Sequence, residues 1–208
     1  VLYGSDAIGG VMNFYTKKAN LSNNSDPKIQ LNLRSRYSSA SIEKMYHFDF
    51  NYGLQKIAFL SSFSKSEFGN LTMGKNGPSD YLRPNYIGFN DAGEDILIQN
   101  PNSRVQRNTA YDQINFMQKI FYKPTENLTI DFGIHFSKSS NIPRYDRLIR
   151  NDGNQVIIGG GQGLYYSEWY YGPQEWLLIN SQLTFNPKSK KIYDCLLYTS
   201  PSPRDGDE

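Results

Sequence analysis

The sequence predicts an all-β protein: about six or seven strands of an antiparallel transmembrane β-barrel, a part of a larger one. Three observations lead there. Apolar and polar residues alternate with a period of two along segments of membrane-crossing length. The connections between those segments are short and long by turns. Aromatic residues make up 14% of a chain whose mean hydropathy is only −0.61.

The composition also excludes classes. No apolar run approaches the ~20 residues of a spanning helix, so a helical membrane protein is excluded. Disordered chains are poor in aromatics, whereas this one has 16 Tyr and 12 Phe. A formal charge of +2 without a basic cluster gives no reason to expect a nucleic-acid partner. A barrel in lipid combines many aromatics with low hydropathy because only alternate residues meet the hydrocarbon.

Taken in order, residues 19–27 form a polar linker, and the first strand covers 29–37. Ile29, Leu31, Leu33 and Tyr37 fall on one face; Gln30, Asn32, Arg34 and Arg36 fall on the other. Residues 46–52 set Tyr46, Phe48, Phe50 and Tyr52 against His47, Asp49 and Asn51. The stretch 56–66 is ambiguous in phase. In 113–122 the apolar phase of Ile114, Phe116, Ile120 and Tyr122 includes Gln118. The clearest strand is 128–136, with Leu128, Ile130, Phe132, Ile134 and Phe136 opposite Thr129, Asp131, Gly133 and His135. Residues 177–185 set Leu177, Ile179, Leu183 and Phe185 against Asn180, Gln182 and Thr184, and a further strand starts at 191–194. Each segment has about the ~9–11 residues that a tilted strand needs to cross a bilayer. The polar phase carries charges that a packed sandwich core would not accept.

Tight turns are expected at 53–55, 123–127 and 187–191, and long connections at about 68–110 and 138–172. The first hairpin, near 38–41, is short at the end where long loops are expected. Short periplasmic turns opposite longer outer loops are a barrel property, and a structureless loop of over 40 residues counts against a compact soluble domain. Tyr52 and Tyr122 then belong to one rim, and Tyr37 and Tyr46 to the other. Six or seven such strands cannot close around side chains this bulky, so the fragment is not expected to fold natively alone.

Both ends read as boundaries. The chain opens mid-protein at Val1-Leu2-Tyr3-Gly4. Cys195 to Asp205 match, residue for residue, the translation of a transposase-type sequencing adapter, so 195–208 are left out of the fold. That tail holds the sole cysteine, and without it no disulfide is available.

The opening segment Val1-Leu-Tyr-Gly-Ser-Asp-Ala-Ile-Gly-Gly-Val-Met-Asn-Phe-Tyr-Thr-Lys-Lys18 resembles the end of the plug domain of TonB-dependent outer-membrane receptors, in which a stretch like L-Y-G-S-x-A-x-G-G-V-I-N-I-x-T-K precedes the barrel. Residues 1–18 would then end the plug, and 28–194 would begin the barrel. The plug motif comprises Gly4, Ser5, Gly9 and Gly10. The stretches at 141–148 and 168–174 are similar to receptors of this family in Bacteroidetes-like bacteria. The resemblance implies active import across the outer membrane without catalysis or a resident cofactor. The partners it implies are TonB, membrane lipid and a scarce ligand. The form of residues 4–10 favours the ferric-chelate, haem and cobalamin branch over glycan importers. A glycan-importing receptor, a passive porin-like channel and a soluble β-rich binding module stay open as alternatives.

Ligand contacts are expected from the two long connections. Tyr81, Arg83, Tyr86 and Phe89 in the first, and Arg144, Tyr145, Arg147, Trp169 and Tyr170 in the second, combine aromatic surface with cationic donors. Such groups suit an anionic, conjugated ligand such as a ferric siderophore or haem. Packing of the loops on one another is the alternative for any one of them. His47 and His135 share the polar phase and form at most a weak metal or haem pair. Neither a nucleophile-elbow motif nor metal-ligand spacing occurs, the Gly-rich stretch 159–163 lacks a following Lys-Ser/Thr and reads as a loop tip, and no Ser/His pair is evident.

Overall fold

A computed structural model of the chain describes residues 15–149, 164, 166–187 and, for the backbone, 196–202. Three long strands come first: β1 (Lys28–Ser38), β2 (Glu43–Gly53) and β3 (Ile57–Phe68). A long connection follows, carrying β4 (Leu71–Thr72), a 3-10 turn (Ser79–Tyr81), β5 (Asn85–Phe89), β6 (Asp95–Gln99) and β7 (Val105–Gln106). Then come β8 (Tyr111–Thr125) and β9 (Leu128–Ser139). A second long connection holds β10 (Ile142–Pro143), the helical turn α1 (Tyr145–Leu148) and β11 (Tyr170–Tyr171). The last strands are β12 (Glu175–Phe185) and β13 (Leu196–Ser202).

The seven long strands form one antiparallel sheet in the order β1-β2-β3-β8-β9-β12-β13. The protein is all-β, as the alternation predicts. The sheet is open, with β1 and β13 as its edges. The expected start of a seventh strand at 191–194 and the plug motif Gly4, Ser5, Gly9 and Gly10 lie outside the described residues. The seventh described strand covers 196–202, inside the tail set aside as adapter sequence. The edge of β12 offers unpaired backbone groups, and any extended segment can satisfy them whatever its side chains.

Register puts the apolar phases on a single face. Across the sheet one row reads Leu33, Phe48, Phe63, Phe116, Phe136 and Leu177, and another Ile29, Tyr52, Phe59, Ile120, Phe132 and Ser181. This face is largely uncovered: Leu33 is 75% exposed, Leu31 58% and Leu177 58%. Tyr37 and Tyr46 stand on it at the long-connection end, Tyr52 and Tyr122 at the turn end. Exposed ion pairs Lys65–Glu67 (2.6 Å) and Lys138–Glu175 (2.9 Å) border it at the long-connection end.

The two untidy segments have physical reasons. Residues 56–66 are apolar on both faces because Ala58 and Leu60 point away from the exposed face and are fully buried. They pack with Ala19, Leu21, Met117 and Phe121. Gln118 sits directly across from Ser61, whose hydroxyl donates to its Oε1 at 2.6 Å, so the two polar groups satisfy one another inside the apolar band. β8 also runs further than the expected turn at 123–127. A register irregularity between Tyr122 and Thr125 takes up Pro124, which has no N–H for the ladder, and leaves a turn of two residues.

Short and long connections alternate as expected as far as β12, and the first hairpin is short; the expected turn at 187–191 lies, beyond residue 187, outside the described residues. The first long connection is not structureless, because β5 and β6 pair as a hairpin within it. Its length therefore does not count against a soluble domain.

Candidate functional site

Both long connections are fixed at their roots. In the first, Asn70 Oδ1 accepts from the Thr109 N–H (2.9 Å), and Thr109 Oγ1 accepts from the Leu71 N–H (2.9 Å). In the second, the Gln174 N–H donates to Ser139 Oγ (3.0 Å) and the Arg144 N–H to the Trp169 carbonyl (2.8 Å). The connections then join: Asn108 Nδ2 donates to the Ser167 carbonyl at 2.9 Å, and the Tyr145 hydroxyl is bonded to Arg83. Burial raises the Tyr145 hydroxyl above the ordinary tyrosine range, while Arg83 pulls it the other way.

The nine expected ligand residues separate into four groups. Arg83, Tyr86 and Tyr145 meet at an enclosed cavity of about 30 Å³ between the connections, with Arg107, Asn100, Asn108 and Leu148. Trp169 and Tyr170 line an open cleft of about 380 Å³ beside it, with Asn70, Asn141 and Glu168. Tyr81 and Phe89 border neither and are more than half and half exposed, at 57% and 50%. Arg144 and Arg147 lie on α1 and its preceding residue and are engaged within the second connection. Arg144 binds Asp146 (3.0 Å) and the Tyr171 hydroxyl (3.1 Å) and lies over the Tyr171 ring. Arg147 lies 5.7 Å from the centre of the Trp169 ring. The hydrogen bond to Asp146 raises Arg144 above the usual guanidinium range. Packing thus uses much of the cationic and aromatic surface that the sequence offers to a ligand. A site for a drug-sized molecule has ~300 Å³ or more, so of these two spaces in the long connections the cleft by Trp169 is the one with that room.

Arg107 was not among the sequence candidates. It lies over the Tyr86 ring, 6.0 Å from its centre, and its Nε donates to Asn100 Oδ1 at 3.3 Å. Its signal was the pairing of an aromatic in β5 with a cation just past β7, which only the hairpin topology brings together.

The polar face of the sheet carries a second constellation. Residues 15–22 cross it, fastened by an ion pair from Lys17 to Asp49 and by a reciprocal pair of bonds between Asn51 and the Asn20 backbone (2.8 and 3.1 Å). A cleft of about 660 Å³ remains between this segment and the sheet, lined by Lys18, Lys119, Asp131, Asn180 and Gln182 among others. His47 and His135 share this face but stand three strands apart, about 14 Å at ~4.8 Å per strand, so they form no metal pair.

A Ser/His contact that the sequence did not reveal is present. His47 Nδ1 is 2.7 Å from Ser64 Oγ, and its Nε2 is 3.4 Å from Asp49 Oδ2. Asp49 is already bonded to Lys17 and Asn32. Ser64 lies mid-strand with β2 and β8 on either side, so neighbouring amides serve the sheet rather than converge as an oxyanion hole. The arrangement is a hydrogen-bonded network on the polar face of the sheet, not a nucleophile in position.

The chain matches no family model, no curated protein and no solved structure at a significant level.

Proposed function

We propose that residues 28–194 begin the wall of a β-barrel in a bacterial outer membrane, that residues 1–18 end a plug, and that the whole imports a scarce ligand with energy relayed by TonB. The observation that carries this is the two-sidedness of the sheet. Its uncovered face holds an apolar band running through six strands. Along β8 the band extends from Tyr122 to Ile114, about 26 Å at ~3.3 Å per residue, or about 20 Å once the strands tilt by ~40°. Barrel bands are about 25 Å tall. Tyrosines mark both limits, as interfacial aromatics do.

The opposite face suits a filled lumen. Asp49, Lys119, Asp131 and His135 would be unfavourable inside a dry sandwich, and the Lys17–Asn20 segment lies against that face as a plug terminus would. On this reading both free edges pair with further strands, because lipid leaves no backbone group unsatisfied. The ligand class remains the one the plug motif favours, a ferric siderophore or haem. It would meet the exposed surfaces of Tyr81, Phe89, Trp169 and Tyr170 first.

Fractionation of cells expressing the full-length gene product tests the location, and growth on haem or a ferric siderophore as sole iron source, with and without TonB, tests the activity. Recovery in the outer membrane with TonB-dependent growth is expected. A product that stays soluble without detergent would favour the β-rich binding module, and growth without TonB the passive channel.

A further inference from the structure

We infer that the joint between the two long connections is a binding site for a small inorganic anion of halide size, held by Arg83 and Arg107. This goes beyond the import reading and does not depend on it. Arg83 and Arg107 line one small cavity, and neither forms an ion pair with a carboxylate among the described residues. The nearby acids are otherwise engaged or turned out: Asp146 is bonded to Arg144, and Asp80 is exposed.

The donors around the cavity are unbalanced. Arg83 gives one terminal nitrogen to the carbonyls of Asp80 (2.8 Å) and Leu82 (3.0 Å), while its Nε is buried with no hydrogen-bond partner. A buried N–H without an acceptor is unfavourable, and more so on a charged group. Arg107 is held in place by Asn100 and the Tyr86 face, neither of which neutralises it. The remaining lining among the described residues is asparagine, serine, tyrosine and aliphatic, with no acid in it. Two positive charges, an orphan donor and an acid-free wall favour a negative occupant over water.

Size selects the class of anion. About 30 Å³ holds one or two water-sized bodies. A halide fits; a haem propionate with its porphyrin or a catecholate does not. Because Arg83 and Arg107 come from the first connection while Tyr145, Leu148 and Ser167 come from the second, the occupant would tie the two together. The site would therefore be a fastening for the loops rather than the place where cargo binds.

Bromide is the probe, used on the full-length protein, in detergent if it fractionates with membranes and in buffer if it does not. Crystals soaked in sodium bromide should show an anomalous peak between Arg83 and Arg107. In solution, bromide should raise the melting temperature relative to gluconate at equal ionic strength, since gluconate is too large to enter. Arg83→Gln and Arg107→Gln should each weaken the bromide response about tenfold or more, as loss of a charge-assisted bond implies. Lys75→Gln, on the exposed part of the same connection, should leave it intact. No peak in wild-type crystals overturns the site even where a variant fails to fold. An equal bromide response in all variants also overturns it, and a peak without any solution response marks binding at crystal concentration only, which does the same. Membrane fractionation is read separately, so either idea can fall without the other.

Discussion

A Cβ built on Gly53 would lie 2.1 Å from the carbonyl oxygen of Asn20. Residues 20–21 therefore cross the end of β2 in backbone contact, through a gap that only glycine leaves open. Just beyond, the Ser22 N–H donates to the Leu54 carbonyl at 3.0 Å. Gly53→Val should lift the segment without melting the sheet. Hydrogen exchange on the full-length protein should speed up at Asn20 and Ser22 by tenfold or more while β2 stays protected. Unchanged exchange at both would rule out the close crossing.

Asn51 is 1% exposed, and both ends of its amide hold the Asn20 backbone. Asn51→Ala removes both bonds and leaves the Asn20 groups without those partners, a local loss of about 2–3 kcal/mol. Asn51→Asp keeps the acceptor and should fall between. The same exchange measurement ranks the three proteins, and an Asn51→Ala protein with wild-type protection at 19–22 would contradict the pinning.

Phe132 and Asp131 are neighbours on opposite faces of β9. If the uncovered face meets hydrocarbon, Phe132→Arg should reduce folding stability in lipid vesicles by about 2–4 kcal/mol. Gln182→Arg, on the polar face, should change it by less than about 0.5 kcal/mol. The reverse order, followed by heat-modifiable gel mobility, would mean that lipid is not on that side.

The loop residues should divide by what they touch. Arg144→Gln loses its bonds to Asp146 and Tyr171 and should loosen the second connection, visible as faster proteolysis there. Phe89→Ala and Tyr81→Ala should leave stability within about 0.5 kcal/mol, since both rings are exposed. They should still lower uptake several-fold if they meet cargo. Uptake unaffected by both would move the contact to the cleft at Trp169.

Tyr145 gives a pH signature. Its pKa is raised mainly by burial, so the neutral hydroxyl is the form that the fold favours. The stabilisation is complete below the ordinary tyrosine pKa of ~10 and is lost as pH rises through the higher folded value. An ultraviolet titration of wild type against Tyr145→Phe should isolate one late-titrating phenol. A tyrosine titrating at the ordinary pH would show that the loop joint is open to water.

The main sheet was legible in the sequence because a strand writes its two environments in alternate letters: Leu128 to Phe136 alternate without a break. Where a strand meets apolar groups on both sides the pattern blurs, and Ala58 and Leu60 obscured β3 for that reason. The long connections were legible only as composition. Arginines and aromatics stood out there by type alone, but whether Arg147 faces Trp169 or a ligand depends on how chain segments 22 residues apart return to one another. Ser64 escaped notice because its partner His47 is brought in by the register of the sheet, and Arg107 because the β5–β6 hairpin brings Tyr86 to it.

One feature of the first hairpin bears on motion. Ile42 holds a left-handed φ of 48°, which is unfavourable for a β-branched side chain by about 1–2 kcal/mol. Beside it the carbonyls of Ala40 and Ser41 accept the N–H groups of Thr72 (2.7 Å) and Gly69 (2.8 Å). The start of the first long connection is thereby buttoned to the neighbouring strand pair. Any swing of this connection must hinge beyond Thr72, and a slip between β1 and β2 would unfasten it at once.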